Sequence, residues 1–464
     1  MRRILLSLII LHSVSVGIAD TQKPWTFWYW MYGAVSEEGV KADLKAMKDV
    51  GLGGCYLMPI RGAAERPEFQ GQADALSNDF WHLVDVSLQQ ADSLGLGMGI
   101  HVCDGFALAG GPWISPEESM QKIVYSDTLL VGRLEDLIHQ KGGLTLHRPK
   151  GFDGYYEDIA TFAIPLTRRS FHPFPYNFDL QRDVDKYPVM MSSTMTRNAK
   201  GIFTASEPAW IQFDFGVPRQ FTNIEIAANG TNIQGQRIAI EVSDNGVNFR
   251  MVKRLVPPRQ GWQNYDFNTT FAFKPTTARY WRLSWTPGDT EPGSEDLDAA
   301  KWRPRLSLKN ATLYAQPCID NWEGKAGYVW RIAPDASSEE LPDSICWPQR
   351  EVVHLTLEGD RVTGHSLSFI DSPSYAYRIV RIGHTSTGHT NATAGGAKGL
   401  ECDKFSREAV SKQVDSWFGL FKQRPHADVV KYLHVDSWEC GSQNWGHRFA
   451  EEFQRRRGYD LIPW

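Results

Sequence analysis

The chain has 464 residues, too many for one ordinary domain, and the length suggests about two to four. Apolar residues make up 42% and charged residues 22%, the proportions of a folded globular protein. The formal net charge of −5 removes the electrostatic case for nucleic acid or an anionic membrane surface as partner.

The chain opens on Met1-Arg2-Arg3, followed by an apolar run from Ile4 to about Val16 and the small residues Gly17-Ile18-Ala19. That is the pattern of a secretory signal peptide over residues 1–19, too short for a comfortable membrane span. No cysteine follows it to carry a lipid, and no later run has the length to cross a bilayer. The mature protein is therefore expected to be exported, to a periplasm or beyond the cell. Export permits disulfides, and Cys318–Cys346 is a possible pair, while buried free thiols are the plainer expectation for Cys55 and Cys103.

Residues 20–120 alternate strand-like and helix-like patterns. Residues 25–31 look extended, and Ser36 can cap a helix whose first turn holds Glu37 and Glu38, with Val40, Leu44 and Met47 at helical spacing. Gly51 closes it, and residues 53–58 form a short buried strand. Asn78 or Asp79 opens a second helix with Trp81, Val84, Leu88 and Ala91 on one face, Gly95 ends it, and residues 98–102 form a third strand. Repeated β-then-α units imply parallel strands joined by crossover helices. The expected architecture is α/β plus all-β: a (β/α)8-type barrel, with a doubly wound sheet as the alternative, interrupted by an inserted β-sandwich.

That insertion is expected over residues 121–375, where short alternating runs replace long amphipathic helices. A β-rich segment over 121–189 leads into a sandwich over 190–316, and 317–375 returns to the barrel. The runs Trp210-Ile211-Gln212-Phe213-Asp214-Phe215-Gly216, Glu241-Val242-Ser243-Asp244-Asn245-Gly246 and Arg279-Tyr280-Trp281-Arg282-Leu283 together resemble a discoidin-type jelly roll. That resemblance implies either glycan binding at one loop end or a brace for a neighbouring catalytic domain. Residues 376–464 resume the α/β pattern. Arg378–His384 is expected as the fourth barrel strand, Ser406 as the cap of a helix, residues 431–439 as the fifth strand, and Gln443–Arg457 as a helix stopped by Gly458. Five βα units cannot close an eight-stranded barrel, so the barrel is expected to be incomplete and the chain truncated after Trp464.

In a βα barrel the reactive groups stand where strands give way to loops. The polar residues at those ends are Arg61, then His101 and Asp104, then His384, His389, Glu401 and Asp403, then Asp436 and Glu439. Glu439 is the sharpest. Glycosidic cleavage needs a carboxylic acid to protonate the leaving oxygen and a second carboxylate, and a Glu between Trp438 and Trp445 can have its pKa raised by desolvation. A solvated loop acid is the alternative. Asp104, Glu401 and Asp403 could grip sugar hydroxyls, ligate a hard cation such as Ca²⁺, or cap helices. His101, His384 and His389 lack HExxH or comparable spacing, so they are expected to bind hydroxyls and not zinc. Trp113, on the turn Gly110–Trp113, is either a stacking platform for a sugar ring or an ordinary turn residue. The 17 Trp, 16 Tyr and 23 Phe are compatible with carbohydrate stacking, with core filling the plainer expectation. No GxSxG elbow, reactive Cys–His arrangement or phosphate-binding P-loop is present.

Five stretches resemble family 106 of the glycoside hydrolases: residues 24–35, residues 51–59, Asp104-Gly105-Phe106 with Gly110–Glu117, Gly399–Lys404, and most specifically His434-Val435-Asp436-Ser437-Trp438-Glu439-Cys440-Gly441 with Asn444-Trp445 and Arg456–Leu461. The resemblance covers nearly all the mature chain and is loosest in the insertion. It implies an inverting α-L-rhamnosidase acting on rhamnose-containing, plant-type polysaccharide, with calcium in the site and Glu439 as general acid. His101, Asp104, Trp113, His384, Glu401, Asp403, Asp436 and Trp438 then become candidate substrate-binding residues, with no metal ligands assigned. The family's second carboxylate lies on a later strand, beyond residue 464, so little hydrolysis is expected of this stretch alone. A glycosidase of other sugar specificity and a catalytically dead carbohydrate-binding protein are the alternatives.

Overall fold

The computed structural model describes residues 23–61, 71–106, 109–166, 176–230, 236–258, 267–289, 303–338, 346–365, 376–436, 438 and 440–464. The expected signal peptide, Ser437 and Glu439 lie outside the described residues.

Three strands, β1 (Trp25–Met31), β2 (Gly54–Ile60) and β3 (Gly97–His101), pair in parallel and in chain order. Helix α1 (Glu37–Asp49) starts at Ser36, whose hydroxyl accepts from the Gly39 amide at 3.1 Å. Helix α2 (Asn78–Leu94) is capped one residue earlier than expected, by Ser77, and ends on Gly95 in the left-handed region at φ 62°. Val40, Leu44, Phe80, Val84, Leu88 and Ala91 turn from these helices onto Trp28, Trp30, Cys55, Leu57 and Ile100, and all are buried. The alternation along β1 therefore divides its aromatics. Trp28 and Trp30 enter the core, while Phe27, Tyr29 and Met31 stand exposed on the opposite face of the sheet.

After β3 the chain leaves the parallel sheet and builds two antiparallel ones. A five-stranded sheet contains β4 (Gln121–Val131), β5 (Glu157–Pro165) and β6 (Ala376–Ser386), with Val353–Glu358 and Arg361–His365 beyond. A nine-stranded sheet spans residues 177–314 and wraps one apolar core that includes Phe178, Phe213, Phe221, Phe271, Trp281 and Trp285. Its two longest strands, Ala209–Ala228 and Thr269–Trp285, pair antiparallel through register shifts near Asp214/Arg219 and Phe221/Asn223, which bend the sheet around that core.

The expectation that Arg378–His384 is a fourth barrel strand is wrong. Those residues belong to β6, which pairs antiparallel with β4 from Ala376↔Val131 to Ser386↔Gln121 and with β5 on its other side. The alternation that made it look like a strand does not report whom a strand pairs with, and an eleven-residue partner outcompetes the parallel sheet. The fourth parallel strand is β7 (Val430–His434), beside β3 with His434 opposite His101. Helix α3 (Arg407–Lys422), capped by Ser406, precedes it and packs Trp417 and Phe421 on Phe80. The described parallel sheet has four strands, not five.

The expected helix over Gln443–Arg457 is shorter, α4 (Phe449–Arg457). Residues 443–448 are taken by tertiary bonds. Asn444 accepts from the Ile123 amide at 2.8 Å, Trp445 bridges to Gln121, and Gln443 donates to the carboxylate of Asp403. All six cysteines are free thiols, so Cys318–Cys346 is not a disulfide. The Cys318 thiol donates to the Ile319 carbonyl at 3.1 Å instead. Among the described residues no helix is long and apolar enough to cross a membrane.

Candidate active site

The four parallel strands end together at Met31, Ile60, His101 and His434, and the loops that follow carry most of the candidate residues. His101 is fully buried, and its Nδ1 lies 2.9 Å from the Cys103 carbonyl. A carbonyl only accepts, so Nδ1 is the N–H, and this contact outweighs the 3.4 Å approach of the Cys103 amide to the same atom. Burial holds the ring below the ordinary histidine pKa, keeping it neutral. Its Nε2 lone pair then has no hydrogen-bond partner among the described residues. The His434 ring stands 5.4 Å away, with its own Nε2 unpartnered and 3.7 Å from the Asp436 carboxylate. His101, His434 and Asp436 thus bring two ring nitrogens and a carboxylate into one space at the strand ends. Phe27 and Tyr56 pack on His434, at 5.1 and 5.6 Å between rings, and flank that space with aromatic surface.

Asp104 is 2% exposed, and its Oδ2 accepts from the amides of Gly395 at 2.8 Å and Ala397 at 3.0 Å. Burial outweighs these bonds and pushes its pKa up to about 6. The loop it grips is further held by Asn391, whose amide donates to the carbonyls of Asp104 and Ala397 and accepts from Gly399. A Cβ at Gly396 would come within 2.0 Å of the Ala75 carbonyl, so only glycine lets the loop close this tightly. Arg61 tethers the same loop, its amide donating to the Thr393 carbonyl and its guanidinium pairing with Asp74.

Glu401 is fully buried on a two-residue strand paired with Gly110–Gly111. Its Oε2 accepts from the Ala109 amide at 3.0 Å and from the Lys404 ammonium at 2.5 Å, while Oε1 has no hydrogen-bond partner. Burial opposes the charge on Lys404, but Glu401 overrides it and holds the ammonium above the ordinary lysine pKa. That ammonium sits 5.1 Å over the Trp438 ring and touches the sulfurs of Met120 and Cys440. Trp438 and Cys440 are thus both held at Lys404. Trp438 also lines a cavity of about 440 Å³ with Val329, Trp330 and Gln443.

The remaining candidates lie elsewhere. Trp113 donates its indole N–H to Gln413 and packs 6.3 Å from Trp417, turned toward α3. Asp403 is 1% exposed and holds the turn before α3, accepting from the Phe405 amide at 2.7 Å; the helix cap itself is Ser406. His384 stands on β6 with Gln121, Glu157 and His447, away from the parallel strand ends. His434 and Lys404 join the site although in the sequence they have no role beyond membership of the family-like stretches. The place of His434 depends on the register of β7 against β3, which only the fold fixes, whereas the spacing Glu401-x-x-Lys404 is visible in the sequence. A further cavity, of about 850 Å³, lies between Ser406–Ala409 and residues 446–457 of the α4 region.

Comparison with known proteins supplies the family. Over residues 18–464 the chain matches the glycoside hydrolase family 106 model, described as alpha-L-rhamnosidase. Among solved structures it is similar to a rhamnosidase from Novosphingobium sp. PP1Y, with 25% identity and a TM-score of 0.67 over 95% of this chain and 41% of that one. A curated protein of Formosa agariphila with the provisional name beta-glucuronidase is 34% identical over 149 residues, 31% of this chain and 12% of that protein. A family 32 CBM from Clostridium perfringens NanJ, solved with galactose, aligns with 33% of the chain at 14% identity and a TM-score of 0.21. The chain spans less than half the length of the rhamnosidase and about an eighth of the curated relative. Its match along nearly all its length places this chain in glycoside hydrolase family 106, the α-L-rhamnosidase family.

Proposed function

We propose that the chain forms part of an exported, inverting α-L-rhamnosidase that removes rhamnose from plant-type polysaccharide, with Glu439 as general acid. The observation that carries this is the gathering of His101, His434 and Asp436 where four parallel strands end, next to the Trp438–Cys440 segment. Helices cover one face of that sheet, and Phe27, Tyr29, Tyr56 and His434 line the other. This supports a barrel whose mouth is the site. Neutral His101 and the Asp436 carboxylate would accept hydrogen bonds from sugar hydroxyls while the exposed aromatics meet the ring's C–H face. The loop of residues 391–399, bound to Asp104 through Asn391, Gly395 and Ala397, would hold that wall rigid. Glu439 would protonate the leaving oxygen, and a second carboxylate outside this stretch would activate water, as inversion requires.

Calcium does not fit the clusters on hand. Ca²⁺ takes six to eight oxygen ligands. The two groups of convergent donors among the described residues each offer two imidazoles and one carboxylate. The test uses the full-length protein and an aryl α-L-rhamnoside. Glu439→Gln should abolish rhamnose release with substrate binding retained, and wild-type turnover in that variant removes the role assigned to Glu439.

A further inference from the structure

Away from the strand ends, three side chains from distant parts of the chain converge: Glu157 at the start of β5, His384 on β6, and His447 just before α4. The convergence is built by identifiable devices. A register shift between Ile382 and Gly383 sets His384 opposite Glu157. Only glycine fits at 383, where a Cβ would meet the Glu157 carbonyl at 2.3 Å. The bonds of Asn444 to Ile123 and of Trp445 to Gln121 then bring His447 to the same point.

The hydrogen bonds around the cluster decide where its lone pairs point. Gln121 donates its amide N–H groups to the carbonyls of Pro116 at 2.9 Å and Ser119 at 2.7 Å, with Glu117 at 3.3 Å, so that amide cannot flip. Its oxygen therefore faces His384 Nδ1 at 3.0 Å, making Nδ1 the N–H and leaving the Nε2 lone pair directed at Glu157. His447 mirrors this: its Nε2 lies 2.8 Å from the Glu117 carbonyl and must be the N–H, leaving the Nδ1 lone pair. Both free nitrogens converge on one oxygen, Glu157 Oε2, at 3.3 Å from His384 and 3.4 Å from His447.

Two acceptors aimed at a carboxylate need positive charge between them. Protonating both rings is one way, but charge-assisted N–H···O bonds close to about 2.7–2.9 Å, and the side chain of His384 is 4% exposed, a costly place for a second charge. The spacing has another match. Four ligands about 2.0–2.1 Å from a tetrahedral ion lie about 3.3–3.4 Å from one another. Each ring also donates its second nitrogen to a protein oxygen, the outer contact that fixes tautomer and orientation in metal-bound histidines.

We propose that Glu157, His384 and His447 form a binding site for a borderline-soft divalent cation, Zn²⁺ foremost, which pins the segment following β7 to the antiparallel sheet. Two imidazoles and one carboxylate suit zinc and its neighbours in the transition series and not calcium. Water fills the remaining position, on the side where Glu157 and His447 are exposed to solvent. The site stands apart from the proposed chemistry and holds whether or not Glu439 is the acid.

The test is metal binding by the chelator-stripped protein. Titration with Co²⁺, followed by its tetrahedral d–d absorption and by competition with Zn²⁺, should show at least one tight site in the wild type. In the double variant Glu157→Gln/His447→Ala that site should weaken by at least about a hundredfold, and zinc should no longer raise its thermal midpoint. Both positions are partly exposed, and far-ultraviolet circular dichroism checks that the variant folds. Should it not fold, His447→Gln alone gives the same readout. Failure of the wild type to bind either ion more tightly than about millimolar overturns the site. So does an unchanged cobalt spectrum in the variant, which would give the ion to His101, His434 and Asp436.

Discussion

Removing one half of the Glu401–Lys404 pair should cost more than removing both. Glu401 is fully buried and the Lys404 side chain is 10% exposed, so neither charge is solvated by water once its partner is gone. Breaking a buried pair from one side typically costs about 3–5 kcal/mol, because an uncompensated charge is left behind. Lys404→Met is the cleaner perturbation. The new thioether would lie among the Met120 sulfur, the Cys440 sulfur and the Trp438 ring, an apolar and polarisable setting that accepts it. Glu401, however, would keep a single amide bond from Ala109 on Oε2 and nothing on Oε1. We expect Lys404→Met and Glu401→Gln each to cost about 3 kcal/mol or more, and the double variant no more than one of them alone, a coupling of about 3 kcal/mol. Urea unfolding followed by tryptophan fluorescence measures all four corners of the cycle. Single-variant costs that simply add would refute the argument, since they would mean the two charges do not depend on each other.

Asp104 should leave a pH signature. Its folded pKa of about 6 lies above the ordinary carboxylate value, so the native state holds the extra proton, and this group's contribution to stability falls as pH rises from about 4 to 6. About two units correspond to about 3 kcal/mol. Asp104→Asn should therefore gain up to that much on wild type between pH 4 and 7, and parallel thermal-midpoint curves would exclude it. Arg381, 1% exposed, donates to both Asp158 oxygens, to Asp360 and to the carbonyls of Leu146 and Gly359. Arg381→Met should lower stability by about 3 kcal/mol. Arg381→Lys should recover little of it, because a point charge cannot span both carboxylates, and full recovery in the unfolding curve would contradict that. Ser36→Ala should cost about 1 kcal/mol through the lost cap of α1, and an unchanged midpoint would show that the 3.1 Å bond to Gly39 contributes nothing.

What the amino-acid order determined by itself was local or carried in short motifs. Ser36 and Ser406 announced their helices because a cap needs only the next three residues, and Gly95 announced an end because few other residues tolerate its left-handed backbone. The helical spacing of Val40 and Leu44 marked the buried face of α1, and the stretch around residues 434–441 marked the family. Tertiary structure decided the rest. Periodicity shows that residues 376–386 form a strand but not that they choose β4, 245 residues earlier at the closest paired ends, over the parallel sheet, because pairing energy depends on a partner the segment does not contain. The same physics hid the convergence of residues 157, 384 and 447. No spacing rule links them along the chain; a bulge at Gly383 and the bonds of Asn444 and Trp445 bring them within ligand distance only once both sheets have formed.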